Sequence, residues 1–323
     1  MTPNQKSFIP KNKRQKILVK LDTLLAARII KLCLFIGCLS LLISILLLIS
    51  INQITSIFLA ILLLTVIYIW QIEPYQIKVN KIKNPITNDL KIGLISDLHL
   101  GVFKGERFVS TLIKELKKLN LDLLLIAGDF YYKPQLSNEN LLKNFKTLMI
   151  PIYAVTGNHD HEDCDGNYFD RLKQETHEAG IELLLNKKKQ VKIKNQIFSI
   201  IGLKDLWFSE KVNEQSKIFQ TKNLQKNEKT ILLIHNPDWL EQLTNQLQFD
   251  LILAGHTHAG QIRIPKLYKK CIPTISNYEY GYYETKNGPL FVSQGLGEVG
   301  LPCRFLCKPE IILFNSSKNN DKF

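Results

Sequence analysis

Two histidines one residue apart close the apolar run "LILAGHTHAGQ" at residues 251–261, in a chain that has seven histidines in all. Alone, such a pair reads as polar punctuation after a strand. The same residue types recur, however, at the ends of other apolar runs. "SDLHLG" carries Asp97 and His99, "AGDF" carries Asp129, and "TGNHD" carries Asn158, His159 and Asp160. "TILLIH" ends in His235, and "GHTH" supplies His256 and His258. Only His161, read as a loop residue, and His177, read as a solvated helix residue in "ETHEAG", fall outside this set. Imidazole and carboxylate oxygen without thiolate suit borderline or hard divalent ions such as Mn, Fe or Zn. Roughly seven donors exceed the needs of one tetrahedral zinc and fit a pair of metals. Two metals about 3.5–4 Å apart can share one carboxylate, clamp both sides of an in-line displacement at phosphorus and lower the pKa of a bridging water.

The elements that must position these residues are short runs rich in Leu and Ile. They are "KIGLIS" (91–96), "LDLLLIAG" (121–128), "IYAVTG" (152–157), "IFSIIG" (197–202), "TILLIH" (230–235), "DLILAG" (250–255), "LFVS" (290–293) and "EIILF" (310–314). Runs with so few polar interruptions predict strands covered on both faces. Between the first two, "ERFVSTLIKELKKLN" places Phe108, Val109, Leu112, Ile113, Leu116 and Leu119 along one helical face. "SNENLLKNFKTLM" predicts a second helix with Ser137 as its cap. Residues 203–229 are polar and carry no clear element. The expectation is a layered α/β domain with helices outside, and in such sheets ligands bind at the carboxyl ends of the strands. Of the first six strand candidates, five end in Asp, Asn or His.

The N-terminal part obeys different rules. From Leu32 to Trp70 there is no Asp, Glu, Lys or Arg. A single helix of that length would reach about 58 Å, too long for one crossing of a hydrocarbon core of about 30 Å. The polar step "INQITS" therefore predicts two spans, Leu32–Ile51 and Ile54–Trp70, with the second marginally short. Residues 1–31 form a basic arm of eight Lys or Arg against Asp22, more than half of the formal net charge of +13. Lys78, Lys81 and Lys83 follow the second span. By the positive-inside rule both flanks lie in the cytoplasm, so the expectation is an inner-membrane protein with two spans and a cytoplasmic catalytic side. The arm is read as a contact for anionic lipid headgroups. No aromatic-interleaved basic stripe points to nucleic acid, and no protein partner is expected. Residues 71–85 are read as a linker, 86–315 as the catalytic domain and 316–323 as a disordered tail. The six cysteines form no CxxC pair, and Cys303 and Cys307 are expected as reduced thiols.

The ordered set "SDLHLG", "GD", "GNHD", "H" and "GHTH" resembles the calcineurin-like metallophosphoesterase superfamily. That resemblance implies a four-layer double β-sandwich flanked by helices, preceded here by the N-terminal transmembrane hairpin. It implies one metal on Asp97, His99, Asp129 and His258. The other would sit on Asp129, Asn158, His235 and His256, with Asp129 bridging. It also implies a proton-donating role for His159 at the substrate phosphate, with Asp160 orienting the motif. Further stretches, "IEPYQIKV", "GIELLLN", "HNPD", "GQIRIP" and "GLGEVGLPCRF", are similar to a membrane-associated phosphodiesterase branch that includes UDP-2,3-diacylglucosamine hydrolases of lipid A synthesis. Ala259 stands where that pattern has a second glycine. Arg263 and Arg304 are candidate phosphate contacts, with an ordinary structural role as the alternative for each. The implied function is hydrolysis of a phosphodiester or pyrophosphate bond in a lipid-linked or nucleotide-linked substrate by a metal-bridging hydroxide. Small diesters or cyclic nucleotides, and a non-catalytic metal-binding scaffold, are the competing readings.

Overall fold

The structure is a computed structural model. It describes residues 53–87, 89–133, 140–161, 168–209 and 228–315, with a few helical positions between 36 and 44. Two six-stranded mixed sheets form its centre. The first runs in the order β1 (Lys78–Lys83), β14 (Glu310–Asn315), β2 (Ile92–Ile95), β4 (Leu123–Ala127), β6 (Ile152–Val155) and β7 (Glu182–Leu183). The second runs β12 (Gly281–Thr285), β13 (Gly288–Val292), β11 (Leu251–Ala254), β10 (Lys229–Leu233), β9 (Gln196–Gly202) and β8 (Lys187–Ile193). β2, β4 and β6 are parallel neighbours, as are β9, β10, β11 and β13, and β3 (Leu100–Gly101) pairs with β5 (Tyr131–Tyr132) in a separate two-stranded ladder.

All eight strand candidates form strands, and the reason is visible in the packing. In β10, Ile231 and Leu233 join Leu94, Leu125, Val155, Phe198 and Phe291 in the apolar layer between the sheets. Leu232, pointing the other way, joins Trp239, Leu240 and Ile252 under the outer face. With both faces covered, each buried aliphatic side chain contributes about 1.5–3 kcal/mol. Outside the first sheet lies α2 (Glu106–Lys118), which buries Phe108, Val109, Leu112, Ile113 and Leu116, with Glu106 in its first turn and Lys117 and Lys118 in its last. Those charges complement the helix dipole. α3 (Tyr168–Glu178) covers the same apolar layer, and the 3-10 helix Lys143–Leu148 touches both helices.

Three expectations are revised. "SNENLLKNFKTLM" forms a 3-10 helix, Lys143–Leu148, that buries Phe145 rather than a full α-helix, and Ser137 lies outside the described residues. Residues 71–85 are not a plain linker, because β1 within them pairs in parallel with β14 across six registered residues. The apolar helix α1 (Gln53–Ile67) does not stop at Trp70. It continues through a π turn at Tyr68–Ile72 into a 3-10 turn at Glu73–Tyr75. Glu73 ends the charge-free run in sequence, yet its Oε1 accepts the Cys307 N–H at 2.6 Å inside the protein. Thr55–Tyr75 is, among the described residues, the one helix long and apolar enough to cross a membrane by length and composition. The proposed first span and the turn after it lie largely outside the described residues.

Candidate metal centre

The strand ends converge as the patterning predicts. Asp97 and His99 follow β2, Asp129 follows β4, Asn158 to Asp160 follow β6, and His235, His256 and His258 follow β10 and β11. All are buried except His159, which is half-buried. Five of them, Asp97, His99, Asp129, His256 and His258, have left-handed backbones with φ between 45° and 73°. Non-glycine residues rarely adopt this region, and such outliers cluster where the surrounding structure enforces a site. The chain leaves each strand by a sharp turn that swings a donor inward instead of onto the next layer. Gly157 permits the closest approach: a Cβ there would lie 2.1 Å from Asp129 Oδ1.

Asp97, His99 and His258 bring donor atoms together as one group, and Asp97, Asp129 and His235 as another. Between them, Asp129 Oδ2 is 3.5 Å from His99 Nε2 and 3.3 Å from His235 Nε2. His99 Nε2 faces His258 Nε2 at 3.0 Å, and His258 Nε2 is 3.5 Å from Asp97 Oδ1. On the other side His235 Nδ1 donates to the Ala127 carbonyl at 2.7 Å, and His256 Nε2 to the Pro273 carbonyl at 3.0 Å. Their remaining nitrogens, His235 Nε2 and His256 Nδ1, face each other at 3.1 Å. Histidine ligands characteristically give their second N–H to a carbonyl in this manner, which turns the other lone pair to the ion. Among the described residues, buried Asn158 Oδ1 has no hydrogen-bond partner, and neither do His99 Nδ1 and His258 Nδ1, the outer nitrogens of rings whose Nε2 atoms face Asp129 and Asp97. These donors fit divalent metal.

The electrostatics agree. Burial holds His99 and His258 well below the usual imidazole range and takes His256 to about 3. All three are therefore neutral, as ligands must be. At His235 burial also favours the neutral form, but the charges of Asp129, Asp97 and Asp205 outweigh it and raise the group to about 10. The carboxylates thus draw positive charge to this position, and a cation answers the same field as a proton. Burial, reinforced by Asp129, raises Asp97 to about 6. Burial acts on Asp129 in the same direction, but His235, His159 and His99 overcome it and hold that carboxylate well below its usual range.

Two candidate site residues are taken up by the protein's own backbone, Asp160 in the orienting role expected of it and Arg304 in the structural alternative. Asp160 Oδ1 accepts the Phe130 N–H at 2.8 Å, and Oδ2 accepts the N–H groups of Asp129 and Gly157 at 3.0 and 2.9 Å. It is a clamp between two loops and does not face the reacting centre. Arg304, fully buried, gives its guanidinium to the carbonyls of Gln294, Gly297 and Cys307 and to Glu298. It has no donor left for a phosphate and is structural. Arg263 is half-buried against the Tyr268 ring at 4.4 Å and donates to the Ala259 carbonyl at 3.3 Å. His177 is exposed on α3 as expected. His161 bonds Thr156 at 2.9 Å and stacks between Phe169 and Phe208.

The sequence reading missed Asp205, Tyr132 and Trp207. Asp205 is buried three residues beyond β9, the one strand of the first six without a polar terminus, so the strand-end rule extended by one turn finds it. Tyr132 lays its ring edge-on to His99 and His159 at 5.5 and 5.1 Å. Trp207 does the same to His256 at 5.2 Å. Neither aromatic carries a local signal of this.

A double sheet with an Asp and His cluster at its strand ends defines a candidate dinuclear metal centre. The model of the calcineurin-like phosphoesterase family matches residues 90–260, and the chain belongs to that family. An uncharacterized metallophosphoesterase of Helicobacter pylori (strain J99) is 29% identical over 236 residues, covering 70% of this chain and 59% of that protein. The match thus spans less than two thirds of that relative. YkuE of Bacillus subtilis, an uncharacterized metallophosphoesterase, is 28% identical over 78% of this chain and 90% of its own length. The phosphodiesterase YaeI of Escherichia coli is 28% identical over 69% and 80%. Among solved structures, the sulfate thiohydrolase SoxB of Thermus thermophilus gives a TM-score of 0.44 at 12% identity, over 65% of this chain and 52% of that one. Family and relatives support a metal-dependent phosphoester hydrolase.

Proposed function

We propose that the chain is a membrane-anchored phosphodiesterase with two divalent ions at the strand ends. The observation that carries this reading is one carboxylate oxygen, Asp129 Oδ2, standing within 3.5 Å of imidazole nitrogens from both halves of the cluster. Asp97, His99 and His258 would hold one ion, and Asn158, His235 and His256 the other, with Asp129 between them. Bound divalent ions supply Lewis-acid polarisation of a phosphoryl oxygen and an activated water.

The protein's own residues do the rest. His159, half-buried at the rim, is fixed by its backbone N–H bond to Asp129 Oδ1 at 3.0 Å and by the ring of Tyr132. That fixed position at the rim supports its imidazole as the proton donor to the departing oxygen. Asp160 holds the loop that carries it. Burial of the cluster excludes bulk water and strengthens each charge interaction.

For substrate, the apolar helix joined directly to the catalytic unit favours a lipid-linked diester or pyrophosphate, and resemblance to the lipid A branch makes UDP-2,3-diacylglucosamine the specific candidate. The basic flanks support a cytoplasmic catalytic side. A hydrolysis screen of the metal-loaded protein tests this by setting a nucleotide-sugar lipid against cyclic nucleotides, phosphomonoesters and bis(p-nitrophenyl) phosphate. Preference for cyclic nucleotides or monoesters would displace the lipid reading. A reporter fused after Phe323 should behave as cytoplasmic, and an exterior result would remove the nucleotide-lipid pool from reach.

A further inference from the structure

The end of the apolar helix is not a loose tether. The Ile69 carbonyl accepts the Arg304 N–H at 2.9 Å, Glu73 accepts that of Cys307, and the Pro74 carbonyl accepts buried Lys104, whose ammonium lies 4.0 Å from the Tyr75 ring centroid. The loop that receives the helix therefore runs through residues 299–307. A second loop lies alongside it: Ile262 bridges Phe305, Arg263 N–H bonds the Phe305 carbonyl at 2.9 Å, and Gln261 bonds the carbonyls of Val299 and Leu301.

These two loops expose a run of large apolar side chains: Leu306 at 62%, Leu267 at 56%, Leu301 at 50% and Ile264 at 44%. Ile72 and Tyr75 at the helix end are exposed to a similar degree. Leu301, Ile264 and Leu267 each give their own N–H to a backbone carbonyl, and Leu306 is held between Phe305 and Cys307, whose N–H groups bond Gln261 and Glu73. Lys266 and Lys308, also exposed, flank the run. An exposed apolar patch with a basic border, continuous with a helix of membrane-crossing length, has the composition of an interfacial surface. The same loops reach the catalytic rim. Gly300 N–H bonds the Tyr132 hydroxyl at 3.3 Å, and Tyr132 packs against both His99 and His159. Leu301 is thus one residue away from a contact with the site mouth.

Resting on the membrane-anchored reading above, we propose that Leu301, Leu306, Ile264 and Leu267 form a collar that lies in the bilayer interface beside the helix. The collar sets the rim at Tyr132 and His159 at headgroup level. The site is thereby presented to phosphodiesters whose lipid portion stays in the membrane, rather than to diesters diffusing in water.

The test uses the full metal-loaded chain in phosphatidylcholine and phosphatidylglycerol vesicles, with or without brominated acyl chains. Leu301→Trp and Leu306→Trp should each add emission that brominated lipid quenches, beyond the quenching already given by native Trp70 in the span. In parallel, the double variant Leu301→Asp with Leu306→Asp should lose about tenfold or more in kcat/KM on a vesicle-borne nucleoside-diphosphate lipid, the scale set by exposing two leucines' worth of apolar contact. It should cleave bis(p-nitrophenyl) phosphate like the wild type, which also shows that it folds. Added emission that brominated lipid leaves untouched, while Trp70 is quenched, overturns the collar; so does an unchanged rate on the vesicle substrate. Failure of Trp70 quenching and of vesicle flotation in the wild type would instead refute the anchor. Absence of any bis(p-nitrophenyl) phosphate hydrolysis would refute the catalytic reading.

Discussion

The two halves of the cluster use the same donor types and support them differently. His235 and His256 each give one ring N–H to a main-chain carbonyl, of Ala127 and of Pro273, so the tautomer and ring angle are set by protein before any ion arrives. Among the described residues, His99 and His258 have no such partner at Nδ1. Their positions come from packing: Gly297 lies against His99, where an added Cβ would stand 2.6 Å from the His99 Cβ, and the Cys307 thiol donates to the His258 carbonyl at 3.3 Å. That loop is knotted by the buried Arg304–Glu298–Lys104 charges and leads to the helix end. One half is therefore preorganised by directed hydrogen bonds. The other is held by a packed loop that also bonds the end of the apolar helix.

The largest effect should come from removing what the halves share. Asp129→Asn replaces the carboxylate between them with a neutral amide, which cannot bridge two cations. Metal content by elemental analysis should fall for both ions, and turnover should drop by several orders of magnitude. A variant with two ions and near-normal turnover would dissolve the pairing of the halves altogether.

Next in size is a change that spares both. His159→Ala should leave metal content nearly intact and slow turnover by about 10²–10⁴, the usual range for a lost general acid. The loss should shrink for substrates whose leaving group needs no proton. Metal content that collapses in this variant would make His159 a ligand, joining it to the His99 side, whose ring lies 5.2 Å away.

A smaller and more pointed test separates the halves. Outer hydrogen bonds to histidine ligands typically carry about 10–100-fold in metal affinity, so titration with Mn or Zn should resolve a tighter step on the His235 and His256 side. His256→Ala should abolish the tighter step, and His99→Ala the weaker one. If His99→Ala removes the tighter step, preorganisation by the carbonyls does not govern affinity, and the packed loop does.

The same contrast, directed pattern against irregular loop, decides what could be read from sequence. Every strand buried within a sheet announced itself through Leu and Ile runs, and the donors at five of those ends followed from the rule that strand ends hold ligands. Within the two large sheets, the strands that went unread, β1, β7, β8 and β12, are the edges. Two of them, "KVNKIK" and "KKKQVKI", carry lysines that keep edges from pairing with other chains and so look like linker or loop, while β7 is only two residues long and β12, "GYYET", has no aliphatic run. Loop 293–308 was legible only as a likeness to a family pattern. Its buried arginine invited a phosphate role because nothing in "LPCRF" shows that Gln294, Gly297 and Cys307 would surround the guanidinium with carbonyls. Asp205 was hidden by one turn of chain between strand and donor.

The smallest expected effect concerns the turn that carries His258. Ala259, fully buried, has φ 49° and ψ 25°, and Gly260 and Gln261 beside it are also left-handed. A left-handed alanine costs roughly 1–2 kcal/mol that glycine avoids. Against that gain, glycine gives back about 0.4–1 kcal/mol through the freer unfolded chain and about 0.8 kcal/mol through the lost buried methyl. These nearly cancel. Ala259→Gly should therefore unfold within about 1 kcal/mol of the wild type and titrate with the same two metal steps, since Thr257 Oγ1 still accepts the N–H of residue 259 at 3.2 Å. Ala259→Val should be clearly less stable, because a β-branched residue in this region is a true outlier. A glycine variant whose weaker metal step shifts tenfold or more would show that backbone tension in this turn, and not packing of the loop behind it, sets the position of His258.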